Sequence, residues 1–372
     1  MIEAVVVVGD LLRPDGKGRP GGVDRPTLWL FNAIKRQLYL AGGLPVEPLT
    51  TPDLPELRGC LEALRPPEAA DAHWASIHGG LPACSPLAPL VIERLRRCFC
   101  VGYELPPWLA RLLDNELVPY IDLRLHPVRF LDDLMFAARA SCRDTQAALF
   151  SLAVHETEVI ATAGLREAMC RFISEARVPD DTLLVVGQRP FDSSQIVDGS
   201  FFDAWPCAPE IHAICAHHRA VILKPHPYDK EHSLLAVAAA APAHVLGVIT
   251  DNLYRMIALP QVSAVLTVNS SVAHEAPYFG KRLHTLAPLP IRLGWHGDAP
   301  EPDFHASLDD VVLTPDFWRI VLAPHAPVSK LDGTRLRAKP NRLRIAFDSF
   351  WNFQEIDTDR IPSRVAPSAL RH

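Results

Sequence analysis

The chain has no run of about 18 consecutive apolar residues, so no segment of it reads as a transmembrane helix. Its eight cysteines include no C-x-x-C pair, which argues against a structural zinc site. Cys98 and Cys100, two apart in RCFCVGYEL, would face one side of a strand and read as buried thiols of a reducing, cytoplasmic compartment. There is no G-x-x-x-x-G-K-[ST] and hence no P-loop. Positive charge is not in excess: the formal net charge is −6 and the isoelectric point is about 6.2, which lends no support to a nucleic-acid partner. No low-complexity tract or internal repeat is present. The 35 prolines are scattered and mark many short loops. The opening MIEAVVVVGD has no basic n-region and reads as a first strand rather than a signal peptide.

What is present is ordinary for a globular protein, 48% hydrophobic and 22% charged. At 372 residues the chain exceeds what one core usually serves, so two domains are expected. In the first half, AVVVVG (4–9), CFCVGYEL (98–105) and VPYIDLRLHP (118–127) read as strands. TLWLFNAIKRQLYLAGG (27–43), VRFLDDLMFAARA (128–140) and TEVIATAGLREAMCRFISEA (157–176) read as helices. The Pro-rich region 44–90 offers loops and short helices. After the polar break RVPDD come five apolar runs of strand length: 182–188, 220–227, 244–250, 264–271 and 282–288, with helix-like segments between most of them. Such alternation predicts an α/β protein with a parallel sheet, whose ligands bind beyond the carboxyl ends of the strands.

The residues at those ends carry the chemistry. GQRPFDSS supplies Gln188, Asp192 and Ser194; LKPHP supplies Lys224 and His226 between prolines; TVNSSVAHEA supplies Asn269, Ser270, Ser271 and Glu275; APLPIRLGWHGD places Gly294 and Trp295 in a loop. Each has a plainer reading by itself. NSS is also an ordinary N-cap, KPHP a rigid surface turn, and DSS an Asp-Ser turn. Together at one sheet edge, a lysine, a histidine and paired hydroxyls suit a phosphate, and a carboxylate beside a phosphate suits a nucleophile or base acting on the carbon the phosphate leaves. In the first half, Asp122 and Arg124 share a strand face and read as an ion pair. Glu116, just upstream, is a candidate base for an acceptor hydroxyl, and His155 with Glu156 forms a weaker set.

The ordered set from Gly187 to Trp295 resembles the bacterial retaining β-Kdo glycosyltransferases of capsule and O-antigen synthesis. The matching residues are Gly187, Gln188, Asp192 and Ser194; Lys224 to Pro227; Ser270, Ser271, Glu275, Gly280 and Lys281; and Gly294 with Trp295. His274, Pro277 and His296 depart from that pattern, and Pro277 predicts a short or kinked helix after the serine pair. The resemblance implies a GT-B fold, two Rossmann-like domains facing across a cleft. The expected boundaries are an acceptor-binding domain over 1–178, a CMP-sugar domain over 179–325 and a return segment over 326–372. It implies transfer of Kdo from CMP-β-Kdo to a saccharide or lipid-linked acceptor by double displacement, with Asp192 as nucleophile. His226, Lys224, Ser270 and Ser271 would steady the departing phosphate, and Glu275 would accept from the ribose. Gln188, Ser194 and Asn269 complete the implied donor site, with no metal or cofactor.

Two other readings stay open: an inverting CMP-sialic acid transferase, and a non-catalytic GT-B protein that binds a nucleotide sugar. The stretch 329–347, with six basic residues and one acid, reads as a solvated return to the first domain or as a peripheral contact with the anionic inner membrane.

Overall fold

The computed structural model describes residues 2–14, 25–54, 70–82, 85–173, 177–189, 191–226, 233–241, 245–249, 251–329 and 342–347. These form an α/β protein with two main sheets. Among the described residues, no helix is long and apolar enough to cross a membrane.

The first sheet has the order β13-β14-β5-β4-β3-β1-β2. Its strands are β1 (Ala4–Val8), β2 (Val46–Leu49), β3 (Cys98–Tyr103), β4 (Tyr120–Leu125), β5 (Phe136–Ala140), β13 (Arg292–Gly294) and β14 (Phe304–Leu308). Four of them, β4-β3-β1-β2, run parallel; β5 is antiparallel to both β4 and β14. Successive side chains of a strand point to opposite faces, and the valines of β1 divide accordingly. Val5 and Val7 pack with the helices Arg25–Gly42 and Pro315–Leu322, while Val6 and Val8 pack under the helices Ala70–His78, Leu87–Leu95 and Pro107–Asn115. Burial on both faces explains why these strands are continuously apolar.

The second sheet is wholly parallel, in the order β10-β9-β6-β11-β12. It comprises β6 (Thr182–Val186), β9 (Ala220–Lys224), β10 (Val245–Val248), β11 (Val262–Thr267) and β12 (Arg282–Thr285). Leu184, Val186, Ile222 and Val265 face the helices Glu156–Ile173 and Leu253–Ile257. Leu183, Val185, Val221 and Leu223 face Ala208–Ala216 and Ser233–Ala239. A small antiparallel hairpin, β7 (Ile196–Val197) with β8 (Ser200–Phe201), follows β6. The helix after the serine pair is short: Val272–Glu275 is α-helical and passes into a 3-10 turn at Ala276–Phe279, as Pro277 requires.

Three expectations change. Residues 128–140 are not a helix but an irregular segment followed by β5. The physical reason is that their apolar side chains serve two cores. Val128, Phe130 and Met135 pack with the second sheet, whereas Leu134, Phe136, Ala138 and Ala140 pack with the first. One helical face cannot reach both. The chain also returns to the first sheet earlier than residue 326, because β13, β14 and the helix Pro315–Leu322 all belong there. Gly294 is the last residue of β13 rather than part of a loop, and Trp295 is buried against the His126 ring, 5.6 Å between centroids.

The end of the described chain docks on the same irregular segment. The Asp133 carboxylate accepts from the amides of Leu343 and Arg344 at 3.0 and 2.9 Å. Arg344, buried, donates to the carbonyls of Arg129, Leu131 and Asp132. This member of the basic stretch is therefore enclosed, not solvated; Arg335 and Arg337 lie outside the described residues.

A Cβ at Gly294 would lie 2.4 Å from the buried Phe150 ring. Gly294→Ala is expected to lower stability by about 1–3 kcal/mol through overpacking, read as a lower urea midpoint; an unchanged midpoint would show that the ring yields freely.

Candidate functional site

The carboxyl ends of β6, β9 and β11 open into a cavity of about 940 Å³. Its walls carry Gln188, Asp192, Ser194, Lys224, His226, Asn269, Ser270, Ser271 and Glu275 from the second half, and Glu104, Arg124 and Arg129 from the first. Nearly every residue expected at the donor site thus meets in one space.

Gly187 allows the first two loops to close. Its amide donates to the Lys224 carbonyl at 2.9 Å, and a Cβ there would stand 3.1 Å from the backbone nitrogen of His226. Gln188 then ties the loops together. Its amide nitrogen donates to Ser194 Oγ at 3.0 Å and to Asn269 Oδ1 at 2.9 Å, while its oxygen accepts from the Asn269 backbone at 3.2 Å. Asn269 Nδ2 in turn donates to the Ser194 carbonyl at 2.6 Å. Gln188 and Asn269 accordingly spend these bonds on each other's loops.

Asp192 caps the short 3-10 turn Ser193–Gln195. Its Oδ1 accepts from the amide and the hydroxyl of Ser194 at 3.1 and 3.0 Å. The turn reading and the reactive reading are compatible, because capping occupies Oδ1 while Oδ2 lies 3.7 Å from Arg13 Nη2.

Lys224 is buried at the end of β9 and donates to the Asp251 carbonyl at 2.6 Å. His226 lines the cavity two residues on; Pro227 lies outside the described residues. The Ser271 side chain makes no capping bond to the turn that follows it. Glu275 is 2% exposed, and its Oε1 accepts from the Arg129 amide at 2.8 Å and from the Tyr254 hydroxyl at 2.9 Å. This carboxylate therefore bridges the two halves. Burial is the chief cause that pushes its carboxyl up to about 7, against the lowering effect of those bonds.

Glu116 is not at this site. It is exposed just past the helix Pro107–Asn115 and pairs with Arg96 at 3.4 Å, outside the cavity wall. Its helix carries it away from the strand ends. Glu104 occupies the wall instead. It follows β3 with φ of 51°, a left-handed conformation that a residue with a Cβ adopts only when its surroundings hold it there. The holding groups are the expected ion pair. Asp122 Oδ2 accepts from Arg124 Nε at 2.8 Å, Asp122 Oδ1 accepts from the Leu105 amide at 2.8 Å, and Arg124 Nη2 donates to the Leu105 carbonyl at 2.8 Å. Burial first, and then the Asp192 charge, push the Glu104 carboxyl above its ordinary value. The rule that located the second-half residues, reading the polar group after each strand, points to Glu104 when applied to CFCVGYEL. His155 and Glu156 lie elsewhere: the His155 ring lies tilted against that of His296, 4.2 Å between centroids, and Glu156 accepts from the Tyr278 hydroxyl at 2.8 Å.

A second space of about 550 Å³ shares Leu105, Pro107, Arg124 and residues 289–291 with the first, and adds Arg111, Arg139, Arg292 and His305.

No known family profile matches the chain, and no curated protein matches it. Among solved structures it is similar to the β-Kdo 2,7 transferase of Thermosulfurimonas dismutans KpsC, at TM-score 0.36 and 13% identity, over 76% of this chain and 78% of that one. It is also similar to the β-Kdo 2,4 transferase of the same KpsC, at TM-score 0.34 and 13% identity, over 60% of this chain and 78% of that one.

The raised Glu275 carboxyl makes stability depend on pH. The native state holds this proton more tightly than the unfolded chain does. Its stabilising effect is complete below the ordinary glutamate value and is lost as pH rises through about 7. Glu275→Gln keeps an acceptor for Arg129 and Tyr254, so it is expected to flatten the fall in urea midpoint between pH 5 and 8, by at most about 3 kcal/mol. An identical slope in both proteins would count against this account.

Proposed function

We propose that the chain is a retaining glycosyltransferase that moves Kdo from CMP-β-Kdo to a saccharide or lipid-linked saccharide in bacterial surface polysaccharide synthesis. The observation that carries the reading is a single cavity in which an oriented carboxylate, Asp192, meets a lysine, a histidine and paired serines. A cation-rich wall suits a departing phosphate, and a carboxylate held by Ser194 suits attack on the carbon it leaves.

In this reaction Asp192 Oδ2 forms a bond to the anomeric carbon as the bond from that carbon to the CMP phosphate oxygen breaks. The electron pair stays on the phosphate, beside Lys224, His226 and the hydroxyls of Ser270 and Ser271. An acceptor hydroxyl then attacks the same carbon and expels the Asp192 carboxylate, so the two inversions sum to retention. The hydroxyl's proton passes to Glu104, in place of Glu116. Glu275 Oε2, which accepts no hydrogen bond among the described residues, is the atom proposed to meet the ribose hydroxyls. The second space, which shares wall residues with the first, is the proposed entry for the acceptor. The two sheets with their helices would be the facing halves of a GT-B enzyme. The first half would include β13, β14 and the chain that follows them. Lipid-linked acceptors would place the work at the cytoplasmic face of the inner membrane.

An inverting CMP-sialic acid transferase needs only a base, and the raised Glu104 carboxyl suits that role as well. Intact-mass measurement after mixing with CMP-Kdo separates the two, since only double displacement attaches the sugar to the protein. Asp192→Ala is expected to abolish the adduct and lower turnover by about 10³-fold or more. His226→Ala should lower turnover while leaving the urea midpoint nearly unchanged. Glu104→Gln should cost about 10²-fold or more and remove the acid limb of the rate profile, which in the unaltered enzyme lies above the ordinary glutamate range. A donor-independent Asp192 mass and full activity in Asp192→Ala would overturn the mechanism.

A further inference from the structure

The loop after β1 brings Arg13 to Asp192, a residue of the cavity wall, and nothing in the proposed reaction so far uses it. Arg13 Nη2 lies 3.7 Å from Asp192 Oδ2, with the two side chains 21% and 35% exposed. The arginine is held in place from behind. Its guanidinium lies 5.3 Å from the centre of the buried Trp74 ring. The Trp74 indole N–H donates to Asp10 Oδ2 at 2.8 Å, and Asp10 Oδ1 accepts from the Leu12 amide at 3.0 Å, closing the turn that carries Arg13. Such a stacked guanidinium is pre-organised and loses little freedom when it meets a ligand.

The chemistry of an ulosonic acid donor, which rests on the function proposed above, makes this position consequential. Such a sugar bears its carboxylate on the anomeric carbon itself. Placing that carbon for attack by Asp192 Oδ2 brings the sugar carboxylate beside the attacking carboxylate, with the Glu104 side chain also near. Negative charges so close, and partly removed from water, oppose each other unless a cation stands among them. Of the cations that line the cavity, Arg124 is spent on Asp122 and Leu105, Arg344 on backbone carbonyls, and Lys224 donates to the Asp251 carbonyl at the phosphate side; Arg129 and Arg189 line it too, but the guanidinium paired with Asp192 is that of Arg13.

We infer that Arg13 is the specificity-determining residue for the donor's carboxylate, shielding it from Asp192 while the glycosyl bond forms. A guanidinium fork can take a carboxylate through two parallel N–H bonds and remain beside a second one, which a neutral donor sugar would not require.

The test compares the full chain with Arg13→Ala and Arg13→Lys, using CMP-Kdo as donor and free CMP as a competitive inhibitor. Arg13→Ala is expected to lower kcat/KM for CMP-Kdo by about 100-fold, with the CMP inhibition constant within about twofold of the unaltered value. Arg13→Lys should recover about tenfold, since it restores the charge but not the fork. A loss smaller than about threefold in Arg13→Ala overturns the inference. So does an equal loss of CMP affinity, which would mean that Arg13 merely supports the fold of the site. If the unaltered chain neither binds CMP nor releases it from CMP-Kdo, the proposed function itself falls and this inference with it, a result distinct from either variant's behaviour.

Discussion

The site depends on one constraint: residues 126–135 must serve two cores at once. Phe130 and Met135 are drawn into the second sheet's core while Leu134 and the strand after it are drawn into the first. This apolar joint is closed by polar bonds that would be costly to leave unmade in a buried setting. The Arg129 amide donates to Glu275, and Arg344 satisfies three carbonyls of the same segment. Without that joint the strand ends of the two sheets would not share a cavity.

Both halves bring charge of each sign to the cavity and its surroundings. The second sheet contributes the cationic and hydroxyl groups that suit a phosphate, together with Asp192. The first contributes Glu104, held in a left-handed turn by the Asp122–Arg124 pair, and Arg13, braced by Trp74. Burial and the Asp192 charge raise the cost of ionising Glu104, and the charges of Arg124 and Arg13 partly offset it. The proposed reaction uses that tension, because a charged nucleophile and a proton acceptor are both needed, but at different steps.

Much of the second half was legible from the chain alone. A parallel sheet buried on both faces writes its strands as apolar runs, and β6, β9 and β11 end where GQ, KPH and NSS begin. Because ligands collect at those ends, one local rule located Asp192, Lys224, His226 and the serines without any long-range information. The helix expected over 128–140 failed for the opposite reason. Its apolar spacing recorded two destinations rather than one face, and periodicity does not distinguish them.

The sequence by itself therefore determined the strands of the second sheet, the α/β class and the residues at that sheet's edge, since each follows from local spacing and from where strands stop. Only the tertiary structure decided which first-half groups face them. Glu116 and Glu104 are separated by a single short helix, yet only Glu104 lines the cavity, because an ion pair eighteen or so residues downstream holds its turn open toward the cavity. Arg13 and Asp192 are brought within 3.7 Å by the packing of one half against the other. Contacts of that kind arise from how two cores dock, and no local pattern in either segment encodes them.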